Sequence, residues 1–198
     1  MLNNAKWPGL AVTGAALLLA GCGMGTPEAP PLAGARIGGP FTLVAENGRA
    51  VTDKDFAGKY RLVYFGYSFC PDVCPVDVRN LMLGVKAFEA ADADAARKLQ
   101  PLFVTVDPQR DTPKVLREFT DAFHPRLVGL TGSAEQVAAA ARGFGVAYQK
   151  GEEKAAGAYL VDHSRVATLF GPDGLPIAIV SHDADPETIA AELAKWVR

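Results

Sequence analysis

Residues 61–75 read Arg61-Leu-Val-Tyr-Phe-Gly-Tyr-Ser-Phe-Cys-Pro-Asp-Val-Cys-Pro75, and this run decides the fold class. Leu62-Val63-Tyr64-Phe65 is unbroken apolar sequence ended by Gly66, the pattern of a strand covered on both faces. Beyond the cysteines, Val78, Leu81, Met82, Val85 and Phe88 recur at helical spacing, from about Pro75 to Ala90. Cys70 and Cys74 therefore fall where a strand hands over to a helix. Unpaired N–H groups and the helix dipole at that place favour thiolate over thiol. Cysteines four apart on a first helical turn share one side, so both sulfurs can reach one point. Such a pair can close as a disulfide or hold one soft metal ion. The plain alternative is two structural cysteines, since free cysteine packs as a small hydrophobe. The flanking prolines, and a place at a strand's carboxyl end where open α/β sheets carry their sites, favour function.

The chain has 198 residues, 49% hydrophobic and 21% charged, which suits one globular domain. A formal net charge of −2 and no Lys/Arg cluster argue against nucleic-acid binding. The first residues differ from the rest. Lys6 precedes an apolar run from Leu10 to Ala20 that is short for a bilayer span, and the run closes on Leu19-Ala20-Gly21-Cys22. This is similar to the lipobox of a bacterial lipoprotein signal: residues 1–21 would be removed and Cys22 acylated. The chain is then expected to be an exported bacterial lipoprotein held at a membrane and facing the periplasm or extracytoplasmic space. Of three cysteines, only Cys70 and Cys74 remain for the domain, and one close pair is not a disulfide scaffold.

Residues 22–36 are rich in Pro and Gly and read as a flexible tether, with the domain spanning 37–198. Phe41–Val44 and Ala50-Val51 around Asn47-Gly48 predict an N-terminal β-hairpin, and 53–56 a short helical turn. Leu102–Val106 is a second buried strand, so the cysteine helix bridges a βαβ unit. Thr112-Pro113 opens a helix, Leu127–Leu130 is a strand, and Ser133 with Gln136 caps a helix that stops at Gly143. Val146–Tyr148 and Ala158–Val161 are short strand candidates. Val166–Phe170, a Gly171–Gly174 turn and Ile177–Val180 make a hairpin, and a last helix follows Asp185-Pro186. The order predicts an α/β, thioredoxin-like fold, with a mixed central sheet flanked by helices.

Three histidines could add a metal ligand. His124 reads as a helix-end residue and His182 as a solvated one. His163 interrupts an apolar stretch in Val161-Asp162-His163-Ser164, on the connection that a thioredoxin-like frame packs beside its cysteine loop. From the residues alone, a hydrogen-bonded loop histidine is an equal reading. Asp72 and Asp162 could orient the histidine or be ordinary exposed carboxylates; Asp107 and Arg110 read as braces of their own loop.

The chain resembles the Sco/SenC family of copper chaperones. The matching residues are Ile37-Gly-Gly-Pro-Phe41, the Asp55–Pro75 segment, Val104–Pro113 (Val-Thr-Val-Asp-Pro-Gln-Arg-Asp-Thr-Pro) and Val161–Ser164. The resemblance implies one copper ion, as Cu(I) or Cu(II), held by Cys70, Cys74 and His163, with Cys70 and Cys74 also able to form a redox disulfide. It implies delivery to the copper-containing subunit of cytochrome c oxidase, with a periplasmic copper donor, a thioredoxin-like reductant and a lipid anchor in the membrane. A thiol–disulfide oxidoreductase acting on the oxidase cysteines, or a redox or copper sensor, would use the same residues. Against the oxidoreductase stands the Cys-x-x-x-Cys spacing, where thioredoxins have Cys-x-x-Cys.

Overall fold

The computed structural model describes Met1, residues 28–154 and residues 158–198. Its elements are β1 (Thr42–Ala45), β2 (Ala50–Thr52), a 3-10 turn (Asp53–Phe56), β3 (Tyr60–Gly66), α1 (Val73–Ala91), α2 (Ala93–Ala96) and β4 (Leu99–Thr105). They continue with α3 (Pro113–Asp121), β5 (Val128–Thr131), α4 (Ala134–Gly143), β6 (Tyr148–Lys150) and β7 (Val161–His163). The chain closes with β8 (Ala167–Phe170), β9 (Pro176–Val180) and α5 (Pro186–Trp196). The main sheet has the order β2-β1-β5-β4-β3-β8-β9. Strands β3, β4 and β5 are parallel, while β8, β9, β1 and β2 join antiparallel. This is the mixed thioredoxin-like sheet expected, N-terminal hairpin included.

β3 lies between β4 and β8, and cores on both faces of the sheet cover it, which gives its unbroken apolar run a physical cause. Alternation sends Leu62 and Tyr64 into the core shared with α1 and α5, and Val63 and Phe65 into the core shared with α4. The helix starts follow local chemistry. The Thr112, Ser133 and Asp185 side chains accept from the N–H of Val115, Gln136 and Thr188, and Pro113 and Pro186 occupy first-turn positions. α1 and α5 approach closely at Gly84, where an added Cβ would come within 2.2 Å of Ile189 Cγ2.

The structure departs from the expectations in several places. α1 begins at Val73 rather than Pro75, so Cys74 already belongs to its first turn. The acidic, alanine-rich stretch before β4 folds as α2, because the Asp92 carboxylate accepts from the N–H of Asp94 and Ala95. β7 pairs with β6 in a separate two-stranded ribbon, Tyr148 opposite His163 and Lys150 opposite Val161. Residues 28–36 lie on the domain. The N–H of Leu32 donates to Ile177 O at 3.0 Å, and Lys195 Nζ pairs with Glu28 at 2.8 Å. The signal segment, Cys22 and the first part of the tether lie outside the described residues.

Candidate metal centre

The β3–α1 junction and the β6/β7 ribbon converge on one point. Cys74 is buried in the first turn of α1, and Cys70 is partly exposed in the loop before it; both are free thiols. The Cys74 N–H points at Cys70 Sγ at 3.4 Å, a helix N-terminal donor directed at sulfur. His163 arrives on β7 with Nε2 at 3.1 Å from Cys74 Sγ. Its Nδ1 lies 3.1 Å from the Ser164 carbonyl, which can only accept. Nδ1 therefore carries the proton, and the Nε2 lone pair faces the Cys74 thiol. Tyr64 and Tyr67 meet the imidazole edge-on, at 6.3 and 6.0 Å between centroids, and fix its plane. The structure thus brings His163 against Cys74, 89 residues away in sequence, with Cys70 Sγ at the N–H of Cys74; the three ligand atoms do not all lie within 4.8 Å of one another.

The two thiols differ electrostatically. Burial works against ionisation of Cys70, but the N–H groups of Cys74 and Asp72, the Cys74 thiol and the Val73 N–H outweigh it and hold Cys70 below the ordinary thiol range. Burial pushes the Cys74 thiol well up, with Cys70 and Asp77 adding to the effect. Burial also pulls the His163 imidazole down, which keeps it neutral, the form that ligates metal. The result is one accessible sulfur inclined to ionise and one shielded sulfur hydrogen-bonded to a neutral imidazole.

Behind this group lies a carboxylate that the sequence reading missed. Asp77, one turn after Cys74, has no solvent exposure. It accepts from Tyr64 Oη at 2.7 Å, from Arg165 Nε at 2.9 Å and from Arg165 Nη2 at 2.6 Å. His182 Nδ1 stands 3.3 Å from the same carboxylate, and its Nε2 reaches the Arg165 carbonyl at 3.0 Å. His182, expected in solvent, is mostly buried because it closes this network. Arg165 follows His163 by two residues, so the bidentate pair ties the histidine segment to the cysteine helix. A signal did exist: Cys74, Asp77 and Leu81 share the buried stripe of α1, where an unpaired acid would be expensive. Asp72 and Asp162 are exposed and make no side-chain hydrogen bond among the described residues. His124, read as an ordinary helix-end residue, is buried against Glu89 at 3.3 Å, away from the cysteines.

The neighbouring loop is braced from below. Ser68 N donates to Asp111 at 3.1 Å, and Thr105 Oγ1 donates to it at 2.6 Å. Asp107 pairs with Arg110 Nε at 2.5 Å and accepts from Tyr159 Oη at 2.6 Å, so this pair does brace its loop. Arg110 also stacks over Tyr159 and Phe69, at 3.6 and 5.0 Å to the ring centroids. Next to the cysteines in sequence, Phe69 and Val76 are about half exposed (48% and 52%), unusual for large apolar side chains beside a polar site.

Two sulfurs and an imidazole nitrogen would offer three donors to one ion. A closed structural zinc site asks for a fourth protein ligand, and sulfur-rich, low-coordinate sets suit soft ions. Fold and residues together define a thioredoxin-like domain with a Cys-x-x-x-Cys pair at a strand–helix junction and a histidine against the second cysteine. A SCO1/SenC family model matches residues 29–198, and the chain belongs to that family. It is 43% identical over 171 residues to the protein SenC of Rhodobacter capsulatus, covering 86% of this chain and 73% of the relative. With the mitochondrial SCO1 homolog 1 of Arabidopsis thaliana it shares 38% identity over 172 residues, 86% of this chain but 50% of that protein. Thus the chain spans about half the length of the Arabidopsis relative. Among solved structures, copper-bound ScoI of Bradyrhizobium japonicum superposes with a TM-score of 0.74 at 36% identity, covering 81% of this chain and 99% of that one.

Proposed function

We propose that this protein is a copper chaperone that holds one copper ion through Cys70, Cys74 and His163 and delivers it to the binuclear copper centre of cytochrome c oxidase. The observation that carries the reading is the lone pair of His163 Nε2 directed at Cys74 Sγ across 3.1 Å, with Cys70 beside it. Copper(I) accepts sulfur-rich, low-coordinate sites, and imidazole suits either oxidation state. The family and the copper-bound relative support copper over other soft ions. A set of only three donors lets an acceptor's ligands displace those of the chaperone one at a time. The exposed Phe69 and Val76 beside the cysteines give an acceptor surface something to bury.

Loading requires both thiols reduced, because metal binding displaces their protons. Forming the Cys70–Cys74 disulfide gives two electrons and two protons to an oxidant and removes both sulfur ligands. A dithiol reductant restores the site by exchange, attacking the pair and leaving as its own disulfide. We place the protein in the periplasm on an acyl anchor at Cys22, a reading that rests on the lipobox-like Leu19–Cys22; among the described residues, no helix is long and apolar enough to cross a membrane. The oxidoreductase reading fits less well, since the Cys74 sulfur is buried and engaged with an imidazole that disulfide exchange does not require.

The test is copper titration of reduced wild type and His163→Ala, together with oxidase assembly in cells carrying each. Wild type is expected to take up one copper ion. The variant should bind at least about tenfold more weakly, the loss typical of damage to a metal's ligand set, and fail to support the oxidase while still undergoing dithiol–disulfide exchange. Equal copper affinity in the variant would remove His163 from the site and favour the redox reading.

A further inference from the structure

Arg61 occupies the end of β3 remote from the cysteines, roughly 15–20 Å along the strand from Gly66 at the usual rise per residue. Its side chain shares a face with Phe170, whose ring centroid lies 5.7 Å from the guanidinium carbon. The residue is 5% exposed, and Nε is buried with no hydrogen-bond partner among the described residues. Asp53 and Asp173 attract the guanidinium, but among the described residues neither pairs with it. A buried guanidinium that no carboxylate hydrogen-bonds is unfavourable. The close approach is built in: Gly174 has φ of 84°, and a Cβ there would meet Arg61 Nη2 at 2.9 Å.

A cavity of about 540 Å³ opens beside this guanidinium, a size usual for small-molecule sites. Its charged lining is Arg36, Lys54 and Arg61 against Asp53 and Asp173, which leaves one net positive charge. That balance matches a single negative charge and disfavours a dianion. Ile37, Leu175 and Pro176 supply an apolar wall, suited to a hydrocarbon body rather than to an inorganic ion. An arginine fork is shaped for bidentate recognition of a planar oxyanion.

We propose that this cavity is a second binding site, for a small organic monocarboxylate whose carboxylate docks on Arg61 and whose apolar body lies along Ile37, Leu175 and Pro176. The site is independent of the metal centre, sharing neither residues nor loops with it. The terminal amines of Arg61 are the contact atoms, and binding gives the guanidinium the hydrogen-bonded carboxylate that Asp53 and Asp173, which attract it without pairing, do not supply.

The test is an NMR titration of the whole protein with hexanoate, with the neutral isostere hexanamide and with inorganic phosphate. Hexanoate should give saturable shifts at the Gly38 and Gly174 amides and at Arg61 Nε–H, with hexanamide and phosphate each at least about tenfold weaker, the loss that one charge-assisted contact carries. Arg61→Met fills the same space without burying a charge and should lose hexanoate by the same factor while keeping copper uptake unchanged. Arg61→Lys, which keeps the charge and loses the fork, should also weaken hexanoate. No saturable shift with hexanoate, equal binding of the amide or of phosphate, or undiminished binding by both variants would overturn the assignment. Copper uptake, read separately at the cysteines, keeps failure here distinct from failure of the chaperone reading.

Discussion

Substituting Asp77 tests whether the buried carboxylate organises the metal centre. Removing one partner of a buried ion pair costs about 3–5 kcal/mol when the other charge stays buried. Here the two partners are unequal: Asp77 is wholly buried, while the Arg165 side chain is 39% exposed. In Asp77→Asn the guanidinium can regain water, and the amide oxygen can still accept from Tyr64. The loss should therefore fall below the range, at about 2 kcal/mol, roughly a thirty-fold drop in the folding equilibrium. Arg165→Met should do more harm, about 3–5 kcal/mol, because it leaves the carboxylate buried without its cation. Urea unfolding of the reduced, metal-free protein measures both, as a change in midpoint at unchanged slope. The sign of the pH dependence follows from the same geometry. Burial alone would raise the Asp77 carboxyl, but Arg165 and Tyr64 outweigh it and hold it below the ordinary range. Its contribution is thus complete above the unfolded value of about 4 and is lost as pH falls through the lower folded value. The gap between wild type and Asp77→Asn should be widest at neutral pH and close in acid. Because Arg165 also holds the His163 segment, copper affinity should fall about tenfold in Asp77→Asn. A stability loss under about 0.5 kcal/mol, the scale of an exposed pair, would refute the reasoning; so would a variant less stable than wild type with undiminished copper affinity.

Two further outcomes follow from packing and thiol chemistry. Cys70 is partly exposed and its thiol is held low, whereas Cys74 is buried and pushed up, so iodoacetamide at neutral pH should modify Cys70 about tenfold faster. Mass spectrometry of the reduced protein reads this, and equal rates would show that the helix terminus does not separate the two sulfurs. Gly84→Ala drives a methyl into Ile189, 2.2 Å away, and should destabilise the α1–α5 contact by about 1–3 kcal/mol of overpacking. Thermal unfolding at or above the wild-type midpoint would mean that the two helices are free to separate there.

Much of the fold was legible because local chemistry and burial agree. The apolar run of β3, the caps at Thr112, Ser133 and Asp185 and the helical spacing after Cys74 each fixed an element independently. The pairing of β7 with β6 was not legible, since Tyr148-Gln-Lys150 has no apolar alternation to mark a strand and its partner lies across a polar loop. The packing of residues 28–36 was hidden by their Pro/Gly composition, which reads as tether wherever the chain goes. At the candidate site, Cys70 and Cys74 stood out by spacing, while His163, which interrupts apolar sequence, was singled out as a ligand only through the family resemblance. Asp77 did not stand out, because its meaning depends on Tyr64, Arg165 and His182 from three other segments. Its place on the apolar stripe of α1 marks it as buried, but its partners are tertiary facts.

The central claim is the three-donor copper site, and X-ray absorption on the reduced, copper-loaded protein addresses it most directly. The copper is expected to be bound by two sulfurs and one imidazole nitrogen, with the imidazole signal absent in His163→Ala and no copper retained once Cys70 and Cys74 are joined as a disulfide. A shell with one sulfur, a shell with no imidazole in the wild type, or full copper loading of the disulfide form would contradict it.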